Sequence, residues 1–588
     1  MTAQISHSLR IRAALAAAIL SLCSACGSNG STGSTRSTGS GSAGSAGSAG
    51  PADARRGGQI VVSARTEPRT FNRLVSRETT TDFVATLLNA KLIRLNRVTD
   101  EVEPSLAESW TRDADGLVYT IKLRPNVTFS DGHPFTADDV VFSFEAVYDA
   151  GVAEALQVDG KRLVASAADP LTVVVTFPSM FAPGLRILDN VVILPRHKLE
   201  SALKNGNLKS AWGLSTPPSE LAGLGPFVLN AYQPGQRLVF VRNPHYWRRD
   251  DAGTRLPLLD RVTLDVIPDE NTQLLRLESG ESDMTSSQLP AEAYAPLKRA
   301  ADVGHARLYD LGPAQYPDFL WINLKPGSFT GDPRASWLQR EELRHAISLA
   351  VDRQRFADTV FLGAGVPVFG PVSPANKRWY WTKTPRIPHD PQQAKKLLGA
   401  IGLTDRNGDG VLRDAAGNPA RFTIVTQKGR PSFERGVAVI RDELKRIGLT
   451  VDVAALEGNA VIQQIYSGKY DAMYFNAFPS DNDPALTPDF WVSSGSAHFW
   501  NPEQKTAATD WERQIDQLMH TLAVSVAPAD RTHAFDEVQR IFIEHEPAIY
   551  FVAPRIFVGS STRVGNVTPV VTRPQLLWSP DTLTVTTP

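Results

Sequence analysis

Cysteine is almost missing from this chain. The two present, Cys23 and Cys26, lie near the amino terminus of a 588-residue sequence. The body beyond them therefore has no disulfide, no thiolate nucleophile and no cysteine-held metal. An exported body without disulfides has to rely on a large core, which this length permits. A surplus of one charge is missing too: 61 Lys and Arg stand against 62 Asp and Glu, for a formal net charge of −1. There is no basic excess to hold nucleic acid and none of the nucleic-acid-binding motifs, so no nucleic-acid partner is expected. The catalytic signatures are likewise absent. No Gly-x-Ser-x-Gly elbow, no His-Glu-x-x-His and no P-loop occurs,. His545-Glu546 lacks a second histidine one helical turn away. Carboxylate pairs are too common among 62 acidic residues to mark a glycosidase,.

What is present begins at the amino terminus. Arg10 and Arg12 precede an apolar run at 13–22, and no acidic residue occurs before Asp53. The run is about ten residues, half of the roughly 20 that a bilayer-spanning helix needs, so it reads as a signal-peptide core. Ser24-Ala25-Cys26-Gly27 follows, with small residues suited to a peptidase pocket. This segment resembles the lipobox of bacterial lipoproteins, which implies a signal peptide at 1–25 and a lipid on Cys26. It departs from the pattern at the third position before that cysteine, where Cys23 stands in place of the usual Leu. Modification of Cys23 instead would put bulky Leu22 at the cut, so Cys26 is preferred. Ordinary cleavage near Ala25 without a lipid is the alternative. Residues 26–56 are a Gly/Ser/Ala-rich tether that cannot bury enough apolar surface to order itself,. A Gly/Ser chain of about 24 residues spans on the order of 25–30 Å, enough to hold a domain clear of a membrane.

About 530 residues remain beyond the tether, too many for one simple core, so two or more domains are expected. The hydrophobic fraction is 42% and the charged fraction 21%, as in soluble globular proteins,. Strand and helix signals alternate. Leu117, Tyr119, Ile121 and Leu123 interleave with Val118, Thr120, Lys122 and Arg124, a half-buried strand,. After the Asp131-Gly132 turn, Thr136 reads as an N-cap, with Asp138 and Asp139 in the first turn and Val140, Phe144 and Val147 at helical spacing,. Phe433, Val437, Ile440, Leu444 and Ile447 form a helical stripe,. Gly448 stands where a C′ residue ends a helix, and Leu449, Val451 and Val453 then alternate as a strand,. A helix-like segment at 532–545 leads into an apolar run at 549–552. The interleaving predicts an α/β fold.

Five stretches, in order, carry a resemblance. Pro104-Ser105-Leu106-Ala107-Glu108-Ser109-Trp110 leads to Val127-Thr128-Phe129-Ser130-Asp131-Gly132 and Phe135-Thr136-Ala137-Asp138-Asp139-Val140. Gly225-Pro226-Phe227 runs through Pro234-Gly235 to Arg242-Asn243-Pro244-His245-Tyr246-Trp247. Leu277-Glu278-Ser279-Gly280-Glu281-Ser282-Asp283 is the third stretch. Leu343-Arg344-His345-Ala346-Ile347 with Val351-Asp352-Arg353, Gly363 and Gly370-Pro371 is the fourth, and Gly468-Lys469-Tyr470-Asp471 the fifth. Together they resemble the extracytoplasmic solute-binding proteins of ABC importers, in the oligopeptide/dipeptide/nickel family (bacterial solute-binding protein family 5). The resemblance spans nearly the whole body.

It implies a type II-like periplasmic-binding-protein fold, with two lobes about a hinge and an extra subdomain in the first lobe. The first lobe's core would be 57–91, 223–313 and 552–588, the inserted subdomain 92–222, and the second lobe 314–551. In peptide-binding relatives an Asp of the second lobe pairs with the ligand's amino terminus. The matching segment is Phe478-Pro479-Ser480-Asp481-Asn482-Asp483-Pro484, in which Asp481 is the candidate and Phe478 a neighbouring one; a turn-capping Asp is the alternative,. The Arg that oligopeptide binders carry just after Tyr-Asp is replaced here by Met473, Tyr474 and Phe475. That leaves no cation there for a carboxylate and points to a less charged ligand or one held by stacking. Aromatics cluster at Trp379, Tyr380 and Trp381, and at Phe490, Trp491, Phe499 and Trp500. Trp379 and Trp491 are the favoured ligand-stacking positions, with core packing as the alternative. Phe71-Asn72-Arg73 with 76–80 matches a cleft-lining loop of the family.

One further pattern imitates an EF-hand. Asp405, Asn407 and Asp409 supply oxygens at positions 1, 3 and 5, with Gly410 at 6, but position 12 is Ala416, and Asp414 would have to substitute,. An Asn/Gly/Asp turn is preferred, and neither metal nor other cofactor is expected. The functional expectation is a lipid-anchored receptor in the periplasm or at the cell surface. A monomer is expected, capturing a small solute, with a peptide or peptide-like compound favoured, and passing it to the transmembrane subunits of an ABC permease. A secreted hydrolase with a triad drawn from distant segments is the rival class. A receptor that presents ligand to a sensor would share the same fold.

Overall fold

A computed structural model of the chain describes residues 56–586, apart from 77, 153–155 and 477–480. The expected signal peptide, Cys26, most of the expected tether and Phe478 lie outside the described residues. No described helix is long and apolar enough to cross a membrane.

Two sheets organise the body. The larger has eight strands. Seven run in the order Phe227–Gln233, Arg237–Arg242, Arg261–Val266, Gln59–Ala64, Met284–Thr285, Val552–Ser561, Ala306–Pro313, and Gly365–Pro367 also pairs with Val552–Ser561. Gln59–Ala64 is parallel to both its neighbours, and the other pairings are antiparallel. The smaller sheet has five strands, in the order Thr450–Leu456, Arg421–Gln427, Ala472–Phe475, Phe319–Ile322, Ala548–Tyr550. Strands from both chain ends and the middle share the first sheet, so the chain leaves it and returns.

The local signals explain these elements. In Val118–Leu123 the residues Tyr119, Ile121 and Leu123 are buried, and the strand joins a four-stranded sheet with Ala107–Arg112, Thr172–Thr176 and Val164–Asp169. Helix Ala137–Asp149 starts after Thr136, whose amide donates to Asp139 Oδ2 at 2.9 Å. That contact satisfies a backbone donor at the helix start. Burial raises the Asp139 carboxyl even though Thr136 and Arg196 amides pull the other way. Helix Pro431–Arg446 buries Phe433, Val437, Ile440 and Leu444. Gly448, at φ +92°, ends the turn, and Leu449 N donates to Leu444 O at 3.1 Å. The following strand is the edge of its sheet, so Val451 is buried while Val453 is exposed. The helix expected at 532–545 begins earlier, at Pro528, where a proline at the first helical position loses no intrahelical hydrogen bond,.

The two sheets are connected where two segments of the chain lie side by side. Residues 313–319 lead from Ala306–Pro313 into Phe319–Ile322, and 550–552 lead from Ala548–Tyr550 into Val552–Ser561. Ala314 N donates to Pro554 O at 2.7 Å, and Val368 N to Phe551 O at 3.0 Å. Gly365 pairs with Pro554 and Pro367 with Val552. A hinge rotation is absorbed by dihedral changes at a few residues at the ends of such elements.

Candidate functional site

Side chains from both sheet-bearing halves meet beside these crossings. The 3₁₀ helix Gly184–Asn190 follows Gly184, which is at φ +54° and lies so close to the Tyr119 hydroxyl that a Cβ would overlap it. Leu185, Ile187 and Leu188 are buried beneath, which leaves Arg186 aimed across the gap. Arg186 Nε donates to Asp481 Oδ1 at 2.7 Å; Nη1 donates to the Asp100 carbonyl and Nη2 to Asp100 Oδ1, each at 2.7 Å. The Arg186 and Asp481 side chains are each 6% exposed. Asp100, at φ +63°, sits in the turn between Ile93–Asn96 and Glu101–Pro104. Burial works against the Arg186 charge, but Asp481 and Asp100 outweigh it and hold its pKa up. Burial pushes the Asp481 carboxyl up to about 6, opposed by Arg186 and by the Asp483 amide.

Behind Asp481 the network continues. Asp481 Oδ1 also accepts from Asp483 N at 2.8 Å, and Tyr316 Oη donates to the Asp481 carbonyl at 3.3 Å. The Asp483 carboxylate takes Arg531 Nη2 at 2.7 and 2.9 Å. The Arg531 guanidinium lies 5.1 Å over the Trp379 ring, with Arg378 at 5.4 Å from the same ring. Trp379 and Trp491 both stand edge-on to Phe535, at 5.7 and 5.0 Å. These two expected stacking residues are thus brought to one wall, but as buried packing, 3% and 6% exposed. Among the described residues, Trp379 Nε1 has no hydrogen-bond partner.

Phe71 and Asn72 are elsewhere. Asn72 Nδ2 donates to Leu208 O at 2.8 Å and to Ala211 O at 3.3 Å, and its Oδ1 accepts from Leu74 N at 3.1 Å. Phe71 packs edge-on against Tyr232 at 5.7 Å. The Asn72 side chain ties the 208–212 segment to this loop, while the Phe71 ring packs on the larger sheet. In the EF-hand-like loop, Asp409 is taken by Arg413 at 2.8 and 2.6 Å, and Asp405 Oδ2 accepts from Gly410 N at 2.9 Å. The loop is held by an arginine and its own backbone. No cluster of three or more metal-ligating side chains occurs among the described residues.

Two polar residues at the gap escaped the sequence reading. Asp318 directly precedes Phe319–Ile322, Asn476 directly follows Ala472–Phe475, and Asn476 Nδ2 donates to Asp318 Oδ1 at 3.1 Å. Burial pushes the Asp318 carboxyl up to about 6, against the pull of Arg430. Arg573, from the carboxy-terminal segment, is lowered by burial and by the nearby Arg430 charge. An Asp before an apolar strand is the one signal that sequence offers for Asp318, and it is shared with ordinary turns. Another contact across the gap is the Arg435–Glu292 ion pair at 2.8 Å. The arrangement offers ordered charges and hydrogen-bonding groups, and among the described residues at the gap no nucleophile and base are paired. A cavity of about 630 Å³ lies apart, between the first turns of helices Glu341–Ala350 and Asp510–Val524.

Comparison with known proteins gives the context. The profile described as "Bacterial extracellular solute-binding proteins, family 5 Middle" matches residues 101–499. The chain is 26% identical over 542 residues to a "Probable ABC transporter-binding protein" of Deinococcus radiodurans, covering 87% of this chain and 90% of that one. It is 28% identical over 522 residues to the "Oligopeptide-binding protein AppA" of Bacillus subtilis, covering 85% and 87%. The crystal structure of NikA from Brucella suis in complex with Fe(III)-EDTA superposes with a TM-score of 0.75 at 21% identity, over 90% of this chain and all of that one. The α/β fold is that of the periplasmic binding proteins.

Proposed function

Because the chain belongs to the bacterial extracellular solute-binding proteins of family 5, we propose that it captures a peptide or peptide-like solute between two lobes and hands it to an ABC permease. The lobes would be 57–91, 223–313 and 552–588 with the inserted 92–222, and 314–551. The observation that carries the reading is the pair of sheets joined by adjacent crossings, with Arg186 and Asp481 reaching each other from opposite sides. Tyr316, Asp318 and Asn476 are the solute-facing candidates at that gap. Closure is driven by the ligand's higher affinity for the closed state. The lipid on Cys26 and the tether would hold the receptor near its permease at high local concentration.

Two measurements test this. Mass spectrometry of natively produced protein identifies the solute that co-purifies. Small-angle scattering with and without that solute then shows a smaller radius of gyration in its presence. An unchanged shape, or turnover of peptide, ester or glycoside substrates by the protein alone, would sink the reading.

A further inference from the structure

Asp481 is the position that family resemblance assigns to a peptide's amino terminus, and a side chain of this same chain already stands there. We propose that Arg186 is a specificity-determining residue: anchored by Asp100, it holds the cationic place beside Asp481 and turns the cleft toward peptides whose amino terminus is blocked, as in N-acylated or cyclic peptides. This rests on the solute-capture reading above and names the class of solute within it.

The geometry favours the resident cation over an incoming one. Arg186 makes three charge-assisted hydrogen bonds, each 2.7 Å, from a 3₁₀ helix whose neighbouring side chains are buried. Such bonds are short and strong when both partners are ionised, and a planar guanidinium fixed at two ends is preorganised for them. The pair is almost fully buried, so an ammonium that displaced Arg186 would leave a guanidinium without one of its two carboxylate partners in a poorly solvated place, which is costly.

The surrounding charges leave no remainder to attract an ammonium. Asp100, Asp481 and Asp483 face Arg186, Arg378 and Arg531: Arg186 pairs with both Asp100 and Asp481, Arg378 Nη1 is 3.9 Å from Asp100, and Arg531 grips Asp483. Three anions meet three cations. Asn482 Nδ2, at 3.4 Å from Asp100 Oδ1, adds a neutral donor to the same cluster. A ligand end arriving here meets balanced charge and hydrogen-bonding groups, which suits an amide or a hydroxyl.

The test uses the full chain and two probes: a random tetrapeptide pool, and the same pool N-acetylated. Peptides retained by the protein are counted by mass spectrometry. The unaltered protein is expected to retain the acetylated pool at least tenfold over the free pool. Arg186→Met, which leaves Asp481 for an ammonium, is expected to lose or reverse that preference, and Arg186→Lys to keep it. If Arg186→Met fails to fold, the preference of the unaltered protein and of Arg186→Lys decides. Equal retention of both pools would overturn the proposal and leave solute capture standing. Preference for free peptides, abolished by Asp481→Asn, would also overturn it, by showing that Arg186 yields its place. Retention of neither pool above a serum-albumin control would instead remove the peptide-capture reading on which it rests.

Discussion

Asp318 is 6% exposed, with the Asn476 amide as its hydrogen-bond partner, and burial pushes its carboxyl up to about 6. An unfolded Asp titrates near 3.9. The folded state therefore prefers the protonated form. The group's contribution to stability is fully present below about pH 4 and is lost as pH rises through about 6. At neutral pH the ionised carboxylate is a cost on the order of 2–3 kcal/mol. Asp318→Asn is expected to stabilise the protein by about that amount at pH 7.5, with the gain vanishing near pH 4. Urea unfolding across that range measures it, and a pH-independent difference would refute the assignment. In the sequence Asp318 is one Asp before Phe-Leu-Trp-Ile; its burial follows from the pairing of Phe319–Ile322 with Ala472–Phe475, which brings Asn476 opposite. Asp481 was legible as a polar residue of interest through family resemblance. Its partner was not, because Arg186 is 295 positions away and nothing in local composition selects one arginine among many.

Helices and strands were the most legible scale. The stripe through Phe433, Val437, Ile440 and Leu444 became one buried helix face, and the Thr136 cap and Gly448 stop stand where the pattern put them. The reason is that capping and amphipathicity act within a few residues. What the stripe concealed is a close approach. Gly436 lies on the buried face of Pro431–Arg446, and a Cβ there would come 2.6 Å from the Tyr474 ring. Tyr474 is itself buried in the central strand of the smaller sheet. Gly436→Ala gains about 1 kcal/mol of helix propensity, yet overpacking costs typically 1–3 kcal/mol. A net loss of stability is expected, read as a lower urea midpoint. A gain would mean that the helix shifts freely on its sheet. The EF-hand-like pattern fails at this same scale: oxygen spacing is a local property, but whether Asp409 meets a cation from solution or Arg413 depends on the side chain that the turn brings back.

At the scale of the molecule, ion pairs and hinge compete to set the angle between the halves. Arg186–Asp481 and Arg435–Glu292 both cross the gap, while the chain itself passes between the sheets at 313–319 and 550–552. Removing both pairs with Arg186→Met and Glu292→Gln is expected to shift the ligand-free population toward an open form. Small-angle scattering would report a larger radius of gyration than for the unaltered chain. An unchanged radius would assign the angle to the crossings themselves.

By itself the sequence determined the local features: the signal-like leader, the Gly/Ser tether, the alternation of helices and strands, and the caps that bound them. These rest on interactions between residues a few positions apart, or on composition alone. The family, too, was legible, since its motifs are ordered along the chain. Only the tertiary structure decided which charges meet. The first sheet draws strands from residue 59 to residue 561, and that crossing topology carries Arg186 to Asp481, spends Asn72 on the 208–212 segment and buries Trp379 over Arg531. Electrostatic and packing partners are set by distance in space, and chain order fixes that distance only after the sheets have closed.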